Sequence, residues 1–109
     1  VTTHSEVFDE LLEEQPSDWS FFEVYLTLDD PARLAEARVA LARANARPVR
    51  VSADHDFEIT VAHTHGRGAR AGVVRSALRI LDDRGITGRT WAGATRTTLR
   101  PAPPHRYGP

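Results

Sequence analysis

The chain of 109 residues contains no cysteine, no lysine and no methionine. Without a thiol it forms no disulfide, has no thiolate nucleophile and offers no thiolate to a metal. Small secreted domains usually carry bridges, so the expected location is the cytoplasm. All fourteen basic side chains are arginine, a codon bias expected of a GC-rich bacterial genome rather than of any chemistry. Val1 in a chain without methionine is what an alternative start codon, read literally, leaves behind. Long apolar runs are also missing. None approaches the roughly 18–20 residues that a bilayer span requires, and the acidic N-terminus lacks the basic-then-apolar order of a secretion signal, so no membrane association is expected.

The charge that is present is sorted along the chain. Residues 1–30 hold nine acidic side chains and no arginine, while residues 31–109 hold fourteen arginines against six acids, for a net charge of −1. Such sorting is expected of an acidic arm laid on a basic body, or of two ends that address different partners; a solvated helix face is the plainer alternative.

The pattern of apolar residues predicts one α+β domain over residues 1–100. Thr3 and Glu6 stand in capping-box spacing, Val7, Phe8, Leu11 and Leu12 share a helical face, and Pro16 closes the segment, giving an acidic amphipathic helix over 3–15. Isolated helices need about 12–15 residues to persist in water, so this one is expected to dock on something. In residues 20–28, Phe22, Val24, Leu26 and Leu28 alternate with Phe21, Glu23, Tyr25 and Thr27, the period of a strand. Asp30 and Pro31 open a second helix bearing Leu34, Ala37, Leu41 and Ala44, which ends near Asn45. Strands over 48–52 and 57–64 follow, joined as a hairpin through Asp54-His55-Asp56. A third helix turns Val74, Ala77, Leu78 and Leu81 inward and stops at Gly85. The last strand, 87–99, alternates poorly, so either Trp91 and Gly93 or Ala92 and Ala94 could face the core. Four prolines in residues 101–109 predict an extended tail. The order is an extra N-terminal helix followed by βαββαβ, the ferredoxin-like plan: a four-stranded antiparallel sheet with helices on one face.

That plan leaves one sheet face bare. Phe21, Tyr25 and Trp91 are expected there as partner-binding residues, with Asp9, Glu10 and Glu13 of the first helix as a second contact surface. The partner is a protein or a second copy of the chain, a homodimer being the simplest case. His63 and His65, two apart on a strand, point to the same side, but the sequence supplies no third ligand. Asp54, His55 and Asp56 fall about 20 Å away along the strand, so no metal is expected. The stretch from His65 to Arg70 has features of an anion cradle, with Arg67 and Arg70 supplying charge, yet it matches neither the lysine-bearing phosphate loop nor the three-glycine dinucleotide fingerprint. No cofactor is expected. An alternative reading is a cofactor-free enzyme of the dimeric α+β-barrel kind, with His63, His65 and Tyr25 as its polar groups and Arg67 or Arg70 holding an anionic substrate. Nucleic-acid binding ranks below both. Arg75, Arg79 and Arg84 continue the basic series along the third helix, but Glu23 and Glu58 share the open face and would repel phosphates.

Gly85 and Trp91, in Asp-Asp-Arg-Gly-Ile-Thr-Gly-Arg-Thr-Trp, hold the spacing of a Gly-Gly-Glu-Tyr-Asp-Gly-Trp stretch. Ile86 stands for the second glycine, Gly88 for the tyrosine and Thr90 for the glycine before tryptophan. On this feature, residues 18–99 resemble the ribonuclease E activity regulator B family, in which a short acidic helix precedes a ferredoxin-like domain. The resemblance implies a non-catalytic protein that binds a larger enzyme and modulates it.

Overall fold

The computed structural model describes residues 2–51, 54–63 and 68–97; His65, Gly66, Arg67 and the proline-rich tail lie outside them. The chain runs α1 (His4–Glu13), β1 (Trp19–Leu28), a 3₁₀ turn (Pro31–Arg33), α2 (Leu34–Arg43), β2 (Val49–Arg50), β3 (Phe57–Ala62), β4 (Ala69–Arg70), α3 (Ala71–Asp83) and β5 (Gly88–Thr97). No helix among the described residues is long and apolar enough to cross a membrane.

Local chemistry sets these boundaries. The Thr3 side chain accepts from the Glu6 N–H while Glu6 reaches back to the Thr3 N–H, completing the capping box of α1. Asp30 accepts from the Ala32 N–H, capping the 3₁₀ turn that feeds α2 rather than α2 itself. α2 and α3 stop in the same way. Asn45 (φ 63°) and Gly85 (φ 69°) adopt the left-handed conformation. The next residues, buried Ala46 and Ile86, then bond back to the Leu41 and Leu81 carbonyls.

The sheet order is β2-β3-β1-β5, antiparallel throughout this path. It departs from the expected sheet in having a fifth strand. The two residues of β4 pair parallel to the end of β3, Val61 opposite Ala69 and Ala62 opposite Arg70. Gly68 permits this approach, since a Cβ there would lie 2.4 Å from the Thr60 carbonyl oxygen. The strand expected over 48–52 is reduced to Val49–Arg50, and Val49 is 59% exposed.

Phe22, Val24 and Leu26 of β1 join Phe57, Ile59 and Val61 of β3, all essentially inaccessible, under Leu41 of α2, Val74, Leu78 and Leu81 of α3 and Phe8 of α1. All three helices thus line the same core. α1 is docked by more than its apolar face. Asp82, on the last turn of α3, accepts from the His4 N–H (2.8 Å), the Ser5 N–H (3.0 Å) and the Ser5 hydroxyl (2.7 Å), supplying from another helix the acceptors that a helix N-terminus lacks. The buried His4 ring lies between the Ile86 carbonyl (2.8 Å) and the Thr90 hydroxyl (2.6 Å). Because a carbonyl only accepts, Nε2 carries the proton. The charge sorting contributes a single ion pair between arm and body among the described residues, Asp9 with Arg75 at 2.9 Å; the more distal Glu10 and Glu13 remain exposed.

Candidate functional site

By register, Phe21, Glu23, Tyr25 and Thr27 of β1 share the helix-free side with Glu58, Thr60 and Ala62 of β3, with Val49 of β2 and with Arg89, Trp91 and Arg96 of β5. The poor alternation of the last strand has a physical cause. Val24 pairs with Ala92 but Phe22 pairs with Thr95, so β5 carries one extra residue opposite Glu23. This β-bulge changes which residues face the core. Before it Thr90 and Ala92 turn inward, and after it Thr95 does, its hydroxyl donating to Gln15 of the segment after α1. Trp91 therefore lies on the open side.

At the bulge Gly93 leaves room for a ring. A Cβ on Gly93 would stand 2.4 Å from Tyr25 Cζ, so the phenol lies directly across the glycine backbone. His55 stacks on Tyr25, with centroids 4.0 Å apart and planes at 14°. Trp91 meets both edge-on, at 5.7 Å from Tyr25 and 5.9 Å from His55, and the Arg89 guanidinium sits 4.4 Å over the Trp91 ring. Phe21, farther along β1, is 38% exposed.

The loop before β3 carries His55 into this cluster. Asp56 continues the β1–β3 ladder past the end of the strand, its N–H donating to the Leu26 carbonyl and its carboxylate accepting from the Leu28 N–H, each at 2.8 Å. Its predecessor then falls over Tyr25. The His55 side chain is only 9% exposed, and among the described residues neither ring nitrogen has a hydrogen-bond partner; the carboxylate of Glu58 is 3.7 Å from Nε2. The Tyr25 hydroxyl donates to Glu23 at 2.9 Å. That bond, aided by burial and the negative charge of Glu23 and Glu58, raises the phenol above its ordinary value of 10.0, so Tyr25 stays protonated at neutral pH.

The imidazole beside Tyr25 is therefore His55, not His63. His63 stacks on Trp19 at 4.8 Å, with its Nδ1 3.3 Å from the Trp19 carbonyl, and Trp19 in turn packs edge-on against Phe22 at the border of the core. Arg70 occupies the N-cap position of α3 with an exposed side chain; Arg67 and His65 fall outside the described residues. Among the described residues no three His, Asp or Glu side chains gather closely enough to hold a metal ion. Comparisons of the chain with protein-family models, with curated proteins and with solved structures give no match.

Proposed function

We propose that this chain is a small non-catalytic binding protein, ferredoxin-like with one added helix, that pairs with a second copy of itself through the helix-free sheet face. The strand order β2-β3-β1-β5 supports the fold reading, being that of a βαββαβ domain once the short β4 is set aside. The observation that carries the functional reading is the ring cluster of Tyr25, His55 and Trp91, flanked by exposed Phe21 and Val49, on the side that no described helix covers.

The charge layout favours a second copy as the occupant. Carboxylates on this face lie on β1 and β3 (Glu23, Glu58); guanidiniums lie on β5 (Arg89, Arg96) and, beyond β3, at Arg70 of β4. A two-fold axis along the strands between β1 and β5 lays the arginine-bearing β5 of each copy over β1 of the other, which carries Glu23, as a self-complementary interface requires. The regulatory role implied by the resemblance to the ribonuclease E activity regulator B family remains part of this proposal. The enzyme alternative fits less well. Tyr25 is held as a proton donor rather than a base, and its imidazole neighbour is not the one that reading requires.

Sedimentation equilibrium tests the pairing. The wild-type chain is expected at twice its 12.1 kDa mass, and Tyr25→Asp at the single-chain mass with an unchanged far-ultraviolet spectrum. Glu13→Gln, on the exposed face of α1, is expected to leave the dimer intact. A wild-type chain that sediments singly at millimolar concentration contradicts the proposal.

A further inference from the structure

A second surface lies at the β2 edge of the sheet, on the α2 side, away from the ring cluster. Two adjoining open cavities, of about 420 and 370 Å³, run along α2 and meet at Arg38 and Val39. The first has mixed walls that include Leu34 and Phe57, the second is mainly apolar with Ala42 and Pro48, and Val39, shared by both, is 47% exposed. Three arginines stand along the groove: Arg38 at the junction, Arg50 in the first cavity and Arg47 in the second. Among the described residues no carboxylate lines either cavity. Glu36, the acid of α2, is engaged elsewhere by Arg33 and Arg84. Arg38, Arg47 and Arg50 have no ion pair among the described residues.

The backbone adds a second observation. Arg47 is held at φ 54°, two residues after left-handed Asn45 and immediately before Pro48. Glycine tolerates this region freely, whereas arginine is rarely found there, and such residues concentrate at binding sites. The strained link places Arg47 on the wall of the groove.

We infer that this groove binds an acidic amphipathic segment of a partner protein, with the segment's apolar ridge against Val39 and its carboxylates on Arg38, Arg47 and Arg50. The amphipathic lining decides the class. A nucleic acid would find cations here but, among the described residues, no ring to stack on, because Phe57 is 1% exposed and no other described aromatic lines the cavities. An acidic helix with leucines at i, i+3 and i+4 matches both the charge and the apolar floor. The inference is independent of pairing through the sheet face.

Fluorescence anisotropy with a labelled helical peptide of leucine at that spacing and glutamate elsewhere provides the test. The peptide is expected to bind the full chain. Joint Arg38→Glu and Arg47→Glu substitution is expected to weaken binding by about tenfold or more, and Val39→Asp to weaken it as well, whereas Arg79→Glu on exposed α3 surface has little effect. A glutamine version of the peptide should bind poorly. Tyr25→Asp should bind as the wild type does, which separates this surface from the pairing face. Binding unchanged by the double reversal, equal binding of the glutamine peptide, tighter binding of an oligouridylate of equal charge, or loss of binding in Tyr25→Asp would each overturn the inference.

Discussion

Replacing Phe8 by alanine is expected to lower the unfolding free energy by about 3–5 kcal/mol, the range for truncating a buried phenylalanine. Phe8 is fully inaccessible and stacks on Phe22 of β1, with centroids 6.2 Å apart. Its removal opens a cavity between α1 and the sheet, and so short a helix does not persist by itself. Asp82→Ala should act on the same docking from the other end. It withdraws the acceptor from His4 N, Ser5 N and the Ser5 hydroxyl, and loss of such caps costs about 2 kcal/mol. Urea unfolding followed by circular dichroism measures both. The midpoint should fall in each variant, and proteolysis of the wild type should spare residues 14–18, between α1 and β1, while cleaving them in Phe8→Ala. A Phe8→Ala midpoint indistinguishable from wild type would mean that α1 contributes nothing to the core.

The second large effect is expected at Gly93. In Gly93→Ala the new methyl competes with the Tyr25 ring for one space, since the Cβ position lies 2.5 Å from the phenol oxygen, so the ring must leave. With it go the stack on His55 and the hydrogen bond to Glu23. Near-ultraviolet absorbance during an alkaline titration reads the change directly. The Tyr25 phase, identified by its loss in Tyr25→Phe, should fall from its raised position toward 10.0. The linkage follows from the direction of the shift. A phenol raised by folding contributes stability in full below about pH 10 and loses it as pH rises through the raised value, so the alkaline decline in stability should be shallower in Gly93→Ala. The proposed pairing through this face should weaken as well. An unchanged tyrosine titration in Gly93→Ala would show that the ring does not depend on the glycine.

Much of the α+β layout can be read from periodicity, because each buried stripe is periodic within its own segment. Val74, Ala77, Leu78 and Leu81 face inward as the helical spacing predicts, and Phe22, Val24, Leu26 and Leu28 do so at strand spacing. The capping box at Thr3 and the stop at Gly85 are legible for the same reason: their chemistry is local. What escapes the sequence is set by register and by partners far along the chain. The bulge at Gly93–Ala94 is invisible to alternation, since one extra residue merely blurs the pattern. Without the pairing of Tyr25 opposite Glu58, nothing places His55 over Tyr25 instead of in a hairpin turn. The alternative enzyme reading therefore names His63 beside Tyr25, whereas His63 stacks on Trp19 and His55 on Tyr25. His4 is hidden likewise, its ring satisfied by Ile86 and Thr90, more than 80 residues away. One available signal is Gly93 itself. A glycine inside a strand marks a bulge or a close approach, and the large residue able to approach it from the neighbouring strand is Tyr25.

The proposed pairing face and the proposed arginine groove lie on separate parts of the molecule. Docking of α1 on the helix layer leaves the ring cluster uncovered by any described helix, so the helix-free face is the premise on which the functional reading stands. Trp91 is its natural reporter. The chain has two tryptophans, and Trp19→Phe leaves Trp91 as the lone emitter, on the sheet face itself. Its emission and its quenching by acrylamide should be followed across a dilution series with the mass monitored in parallel. Pairing through this face predicts a red shift and greater quenching as the dimer dissociates. Emission and quenching that stay constant while the mass halves would place the contact elsewhere and contradict the account.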